Sequence, residues 1–340
     1  MQTLLLNAAE KGAVEQAAAI LRAGGLVGMP TETVYGLAAN ALDAEAVKKI
    51  FTAKGRPQDN PLNVHISDFS QIARLTRRLP DAAKKLADAY WPGPMTMVLE
   101  KSDLIPDVVS AGLPTVGIRF PSHPVARALI TAAGVPIAAP SANRSGLPST
   151  TTAQHVMRDM DGRIDAVLDG GPCGVGVEST IVTLASNPPR LLRPGGITLE
   201  QLRAVLGCVD VDRAVLNPLP KGAKPLSPGM KYKHYSPKAN VIILDGNERA
   251  YAGYVNAHKA PGVAALCYTG EETLVKVPAV CYGGETDYAA QARDLFEALR
   301  RLDDIGAKTV YARCPEPKGV GLAVYNRLMR AAGFEVLRLE

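Results

Sequence analysis

Between Asn217 and Lys238 the chain carries five prolines and five lysines, and no acidic residue. Proline lacks the backbone donor that a helix interior or a central strand requires, so neither element can run through this stretch. It reads as a linker held extended by its prolines, with enough positive charge to lie along something anionic. The residues on either side must then bury their apolar surface in two separate cores. A chain of 340 residues is long enough for that, being too long for one ordinary core. The expected division is a first domain at 1–206, the linker at 207–238, and a second domain at 239–340.

In the first part, Val14, Ala17, Ala18 and Leu21 recur at helical spacing, and Gly24 and Gly25 stop the helix. A short apolar run at 26–29 reads as a buried strand. Asp43 is placed to cap a second helix, in which Glu45 can pair with Lys49 one turn on. Apolar runs at 95–99, 116–120, 135–139 and 179–184 read as further strands, separated by helical or loop segments. After the linker the pattern restarts. Strands at 241–244, 263–267, 309–311 and 334–337 alternate with helices at 248–258, around Ala292, Leu295, Leu299 and Leu302, and at 322–329. The whole is α/β, and the later alternation implies a smaller, Rossmann-like parallel-sheet domain.

A composition of 47% hydrophobic and 21% charged residues fits a globular chain and argues against wholesale disorder. The formal charge of +5 is a mild excess. It suits the handling of anionic small molecules, whereas a dedicated nucleic-acid binder is usually more basic. Cys173, Cys208, Cys267, Cys281 and Cys314 are odd in number and form no C-x-x-C pair, so reduced thiols are expected rather than a zinc knuckle or disulfide framework. The first residues lack the basic and apolar regions of a signal peptide, and no run of 18 apolar residues occurs. A cytoplasmic enzyme without a membrane partner is the expectation.

The common chemical signatures are missing: no G-x-x-x-x-G-K-[ST], no H-E-x-x-H and no G-x-S-x-G. Gly174-Val175-Gly176 begins a G-x-G but does not stand between a strand and a helix. Four other segments interrupt apolar strand ends with polar groups. Residues 30–37 follow a buried strand, where hydroxyls are placed either for a substrate or to satisfy a turn. Lys54 and Arg56 flank Gly55, letting backbone and charge approach an anion, although such a pair is often merely solvated. Arg119 sits inside the apolar strand at 115–121. Burying it is costly without an anionic partner, and a substrate carboxylate or a structural Asp or Glu would serve equally. Residues 140–146 and the hydroxyl run 149–152 can line a polyphosphate or ribose, or cap a helix.

P-T-E-T-V-Y-G-L (30–37), K-G-R-P-Q-D-N-P-L (54–62), G-I-R-F-P (117–121), A-P-S-A-N-R-S-G (139–146), E-S-T-I-V (178–182) and L-R-P-G (192–195) occur in that order. Six such segments in register resemble the threonylcarbamoyl-AMP synthase family, the YrdC/Sua5 proteins, over residues 10–200. The run from Ser227 to Pro237 and the trailing α/β domain resemble its longer, Sua5-type branch. The resemblance implies a twisted, open mixed-sheet YrdC-like domain followed by the Sua5-type C-terminal domain. It implies a nucleotidyltransferase that makes threonylcarbamoyl-AMP and diphosphate from L-threonine, bicarbonate and ATP. The product would feed the transferase machinery that installs t6A in tRNAs reading ANN codons, with weak tRNA binding as an accompaniment.

Residue by residue, the resemblance puts Lys54 and Arg56 on the triphosphate as the catalytic cations. Asn60, Thr115, Ser141, Asn143, Ser149 and Arg193 would join Arg56 in binding ATP. Arg119 would clamp the threonine carboxylate, with Thr33, His65, the backbone at Ala139, and Ser179 completing the amino-acid pocket. The acid-free, aromatic-containing run of the linker suggests that Lys231, His234 and Tyr235 fold over the nucleotide as a lid, the alternative being a plain spacer whose lysines provide only solubility. Mg2+ is expected as a phosphate-bridging ion brought by ATP, without a dedicated protein site. Two rivals remain. A double-stranded RNA or tRNA-binding module is disfavoured by 5% aromatic content without basic interleaving. A carbamoyl-adenylate-forming maturation factor, similar to hydrogenase-maturation proteins, would carry paired C-x-x-C motifs and extra length that this chain lacks.

Overall fold

A computed structural model describes residues 2–220, 222–230 and 234–339, so Lys231, named above for the lid, lies outside the described residues. The chain forms two compact units, one of residues 2–145 and 149–230 and the other of residues 146–148 and 234–339. In the first unit, eleven described strands build one sheet. Their order is Leu4–Asn7, Ala166–Asp169, Val27–Met29, Gly36–Asn40, Ile137–Ala138, Asn63–His65, Thr115–Arg119, Met95–Glu100, Thr180–Thr183, Arg190–Arg193 and Asp210–Val211. Parallel and antiparallel pairs are mixed, as the resemblance implied: Asn63–His65 runs parallel to Thr115–Arg119, which runs antiparallel to Met95–Glu100.

Both faces of this sheet are covered. Leu37 and Ala39 pack into one apolar cluster with Val64, Ile118 and Phe51, while Ala38 between them packs with Val27, Met29, Leu129 and Leu168. A strand buried on both sides needs no polar alternation, which is why its central strands read as continuous apolar runs. The first helix, Ala13–Arg22, buries Ala13, Ala17, Ala18 and Leu21. It stops at the predicted glycines: Gly24 takes a φ of 75°, and the Gly24 and Gly25 amides return to the carbonyls of Leu21 and Ile20. Asp43 caps the helix Ala44–Lys54 by accepting from the Glu45 and Ala46 amides at 2.9 and 3.2 Å. The expected Glu45–Lys49 pair is not the one formed. Glu45 meets Lys48 at 2.7 Å, because Lys49 turns inward to the Gly24 carbonyl at the same distance.

The stretch expected to be a fully extended linker starts instead as part of the first unit. Asp210–Val211 adds a parallel edge strand to Arg190–Arg193, and Arg213–Val215 forms a short 3-10 turn. Ala214 and Met230 then bury themselves against Val98, Ile181 and Leu192. Prolines bar a helix here, but they leave short pairing and apolar docking open, and the sheet end supplies the surface.

The second unit has the expected all-parallel sheet, in the order Ala279–Cys281, Val263–Cys267, Thr309–Arg313, Asn240–Asp245 and Val336–Arg338. Its helices are Glu248–Ala257, Tyr288–Asp304 and Gly321–Ala331. The strand Ala279–Cys281 was not legible because three residues carry no period. Tyr235, with a φ of 63°, packs its ring 5.3 Å from Phe296 and beneath the Arg327 guanidinium. Arg313 ties the sheet end together: buried at 3% exposure, it meets Glu271 and Glu285 at 2.9 Å and faces the Tyr268 ring. Among the described residues no helix is long and apolar enough to cross a membrane.

Replacing Arg313 strands the Glu271 carboxyl, whose pKa burial already raises. Arg313→Met is expected to lower the stability of the full chain by about 3 kcal/mol at neutral pH. A carboxyl with a raised folded-state pKa favours the folded state below its unfolded pKa and loses that contribution as pH rises. The deficit should therefore shrink on acidification toward pH ~4.5, checked by urea unfolding at both pH values.

Candidate active site

The site is assembled in the first unit by two loops that zip together. The strand Gly36–Asn40 enters through Tyr35 and Gly36. The Tyr35 amide bonds the Thr150 carbonyl, the Leu37 amide bonds the Pro140 carbonyl, and the Ala142 amide bonds the Tyr35 carbonyl, all at 2.7–2.8 Å. The hydroxyl loop at 30–35, the loop at 140–143 and the run at 149–151 are thus held side by side. Gly36 allows this close approach, since a Cβ there would stand 3.1 Å from that of Ala139 and push on it.

Lys54 ends its helix inside this assembly at 3% exposure. Its ammonium donates to the carbonyls of Ser141, at 2.5 Å, and Asn143, so it pins the loop carrying both of those predicted residues. Burial, and then the charge of Arg56, lower its pKa well below that of an ordinary lysine. Ser141 Oγ donates to Asn143 Oδ1 at 2.5 Å. Arg56 donates to the carbonyls of Asn60 and Pro61, which folds the 56–61 loop back and buries the Asn60 amide. Neither side-chain atom of Asn60 has a hydrogen-bond partner.

Strand register sets the second half of the site. His65 lies beside Arg119 across the parallel pair, and Thr96 lies beside Arg119 on its other flank. Thr96 and Ser179 share a hydroxyl hydrogen bond at 2.8 Å, and Arg193 donates to Ser179 through both its backbone carbonyl and its hydroxyl. Gly117 leaves room for Asn63, whose Oδ1 would stand 2.4 Å from a Cβ at that position. The Ala139 amide bonds the Asn63 carbonyl at 3.0 Å. Thr31 spends its one proton on the Val34 carbonyl, so Thr33 must donate to Thr31 and keeps its own lone pairs for a ligand. Thr115 stands at the far end of the Arg119 strand, so a ligand reaching both must span on the order of 13 Å.

Sequence reasoning left two candidates for the partner of Arg119, and the structure supplies the protein one: Glu32 Oε1 lies 2.9 Å from Arg119 Nη2. The contact is badly aimed. Neither Glu32 oxygen, nor Nε or Nη2 of Arg119, makes a hydrogen bond. The Asn63 Oδ1, His65 Nδ1, His123 Nδ1, Thr150 Oγ1 and Ser227 Oγ atoms are likewise buried without a hydrogen-bond partner. Buried polar groups are costly when unsatisfied, and so many in one unit mark a surface built for a polar ligand. Burial, aided by the Arg119 charge, drives the His65 pKa down to about 3, so its ring is neutral. Burial pushes the Cys173 thiol up to about 12.

Glu32, Asn63, His123 and Glu178 were not singled out from the sequence, whereas Thr150 belongs to the hydroxyl run named there. Glu178 is buried and accepts a short hydrogen bond from Ser149. Glu32 and Glu178 do sit inside the quoted segments, beside Thr33 and Ser179, and that adjacency was the available signal. Among the described residues, no three His, Cys, Asp or Glu side chains converge as a metal site. His234 and Tyr235 belong to the second unit, where their rings lie 5.6 Å apart.

Comparison with known proteins follows this geometry. Residues 19–195 match the Sua5/YciO/YrdC family profile, described as "Telomere recombination", and residues 197–333 match the "Threonylcarbamoyl-AMP synthase, C-terminal domain" profile. The chain is 48% identical to the threonylcarbamoyl-AMP synthase of Bacillus subtilis, covering 96% of this chain and 94% of that one. It is 44% identical to the protein of the same name from Pyrococcus abyssi, over 99% and 100%. The crystal structure of P. abyssi Sua5 complexed with L-threonine superposes with a TM-score of 0.91 at 42% identity, over 99% of this chain and 100% of that one.

Two measurements check the site. Lys54→Met should unpin the 141–143 loop and weaken ATP binding by about tenfold or more in calorimetry, with a smaller effect on threonine. The His65 ring should show no protonation shift in NMR between pH 8 and 5. A histidine with a depressed folded-state pKa contributes stability above its unfolded pKa and loses it as pH falls from about 6.5 toward about 3, and His65→Gln should flatten that loss.

Proposed function

Because the chain belongs to the threonylcarbamoyl-AMP synthase family, of the longer Sua5 type, we propose that it joins L-threonine, bicarbonate and ATP into threonylcarbamoyl-AMP and diphosphate. The observation that carries this reading is the buried Arg119 with two donors still unmatched, in a fold shared with a threonine-bound Sua5. A planar guanidinium with free donors suits a carboxylate. Ser179 reaches the Arg119 flank through its hydrogen bond with Thr96, Thr33 offers the second hydroxyl, and neutral His65 lies beside the clamp in register.

The threonine amine captures bicarbonate or CO2 as a carbamate, and a carbamate oxygen attacks the α-phosphorus of ATP. Little covalent work falls to the protein, which must align two anions and neutralise the charge that builds between them. Arg56 and Arg193 supply cationic donors for the triphosphate, and Asn60, Thr115, Ser141, Asn143 and Ser149 its neutral hydrogen bonds. Lys54 contributes charge and holds the 141–143 loop to which two of these groups belong. Mg2+ would be brought by ATP without a dedicated protein site and would offset its phosphate charge, and oxygen donors such as Ser141, Asn143 and Glu178 would suit a hard cation. The lid role expected of Lys231, His234 and Tyr235 is proposed from the acid-free, aromatic-bearing sequence of the linker alone; the Tyr235 ring itself is buried against Phe296 within the second unit. The product serves t6A formation on tRNA through a downstream transferase, in the cytoplasm.

The test is diphosphate release from ATP with and without L-threonine and bicarbonate, together with mass detection of the adenylate. Release should require both co-substrates. Arg119→Lys keeps the charge but loses the fork, and should raise the KM for threonine about tenfold or more while leaving ATP affinity within about twofold. Threonine-independent ATP cleavage would sink the reading.

A further inference from the structure

The misaligned Glu32–Arg119 contact has a chemistry of its own. Both side chains are nearly out of water, at 13% and 5% exposure, and their charges touch at 2.9 Å. Yet two carboxylate oxygens and two guanidinium nitrogens are left without hydrogen bonds. A buried ion pair is tolerable when its remaining donors and acceptors are satisfied, and this one is only half satisfied. It is therefore a poor structural pair and a good cradle. A ligand carrying a carboxylate and an ammonium on one carbon would give Arg119 its acceptor and Glu32 its donor at once. The backbone at Glu32 is fixed for that duty, since its carbonyl accepts from the Val175 amide at 2.8 Å.

Resting on the threonine reading above, we propose that Glu32 binds the substrate ammonium and receives the proton that the amine must lose before it can form the carbamate. The balance closes: R–NH3+, HCO3− and the Glu32 carboxylate give R–NH–COO−, water and the protonated Glu32 carboxyl. The new bond is N–C, one C–O bond of bicarbonate breaks, and no oxidant or reductant is involved. The other titratable groups facing Glu32 are unsuited to the task. His65 is buried beside the Arg119 cation, which disfavours a second positive charge. The Cys173 thiol lies in the same field, buried and held protonated. His123, partly buried, has its pKa lowered by burial, while the Glu32 charge acts on it in the other direction. Glu32 is the carboxylate that meets Arg119, and both of its oxygens are buried with acceptor capacity to spare.

The experiment compares L-threonine with 2,3-dihydroxybutanoate of the same configuration, in which a hydroxyl replaces the ammonium, on the full-length wild type and E32Q. Calorimetry without ATP needs no turnover. The wild type should favour threonine by about tenfold or more, and E32Q should reduce that preference to within about threefold. If E32Q weakens both ligands equally, Glu32 only braces Arg119 and the proposal is overturned. In steady-state diphosphate release, E32Q should lose about 100-fold in kcat, with its activity still climbing at alkaline pH where the wild type has levelled. An unchanged kcat or an unshifted pH profile also overturns it. Should E32Q fail to melt cooperatively, E32D takes its place: a shortened carboxylate should keep part of the ligand preference and lose most of the rate, and retention of both would count against the assignment. A wild type with no threonine-dependent diphosphate release would overturn the reaction instead, whatever the ligand ratio.

Discussion

Arg119 sits at 4% exposure at the end of a central strand, flanked in register by His65 and Thr96. Taking a guanidinium out of water costs several kcal/mol unless anionic and hydrogen-bonding partners compensate. Much of the first unit is arranged around that cost. The parallel register with Asn63–His65 and the antiparallel register with Met95–Glu100 hold the guanidinium between His65 and Thr96. Glu32 supplies the charge, and the misaligned contact leaves hydrogen bonds for a ligand to complete. Full internal satisfaction would give a more stable resting sheet and a worse binding site.

The half of the candidate site proposed for the nucleotide is organised differently. Its cations are largely committed to backbone carbonyls: Lys54 to Ser141 and Asn143, and Arg56 to Asn60 and Pro61. These bonds spend side-chain charge on fixing loop shape. Hydroxyl and amide groups are thereby set in place in advance, so a ligand bound there would need little reorganisation. Substitution of Lys54 consequently acts on the loop as well as on the charge.

The second unit repeats the same economy with protein partners alone. Arg313 is as buried as Arg119, but Glu271, Glu285 and the Gly246 carbonyl meet it in well-formed hydrogen bonds. One arginine is closed by its own chain, and the other is left open. Burial alone would not distinguish a structural cation from a ligand-binding one; the orphaned donors do.

Several features were determined by the sequence itself. Two domains followed from a proline-rich stretch that neither helix nor central strand can cross. The first helix and its glycine stop, the Asp43 cap, and the alternating pattern of the second unit are local properties, legible because helical spacing and capping act within a few residues. The six ordered segments likewise named the residues around which the site is built. Tertiary structure decided the rest. Two- and three-residue strands such as Ile137–Ala138 and Ala279–Cys281 carry no period, and exist only because a neighbour pairs with them. The early linker became an edge strand for the same reason. Whether Arg119 faces a substrate or a carboxylate of the chain was undecidable from an apolar strand containing one arginine. The answer depends on Glu32, 87 residues away in sequence and 2.9 Å away in space. No local pattern encodes the angle of that contact, because packing of the whole sheet sets it, and the open hydrogen bonds follow from that angle.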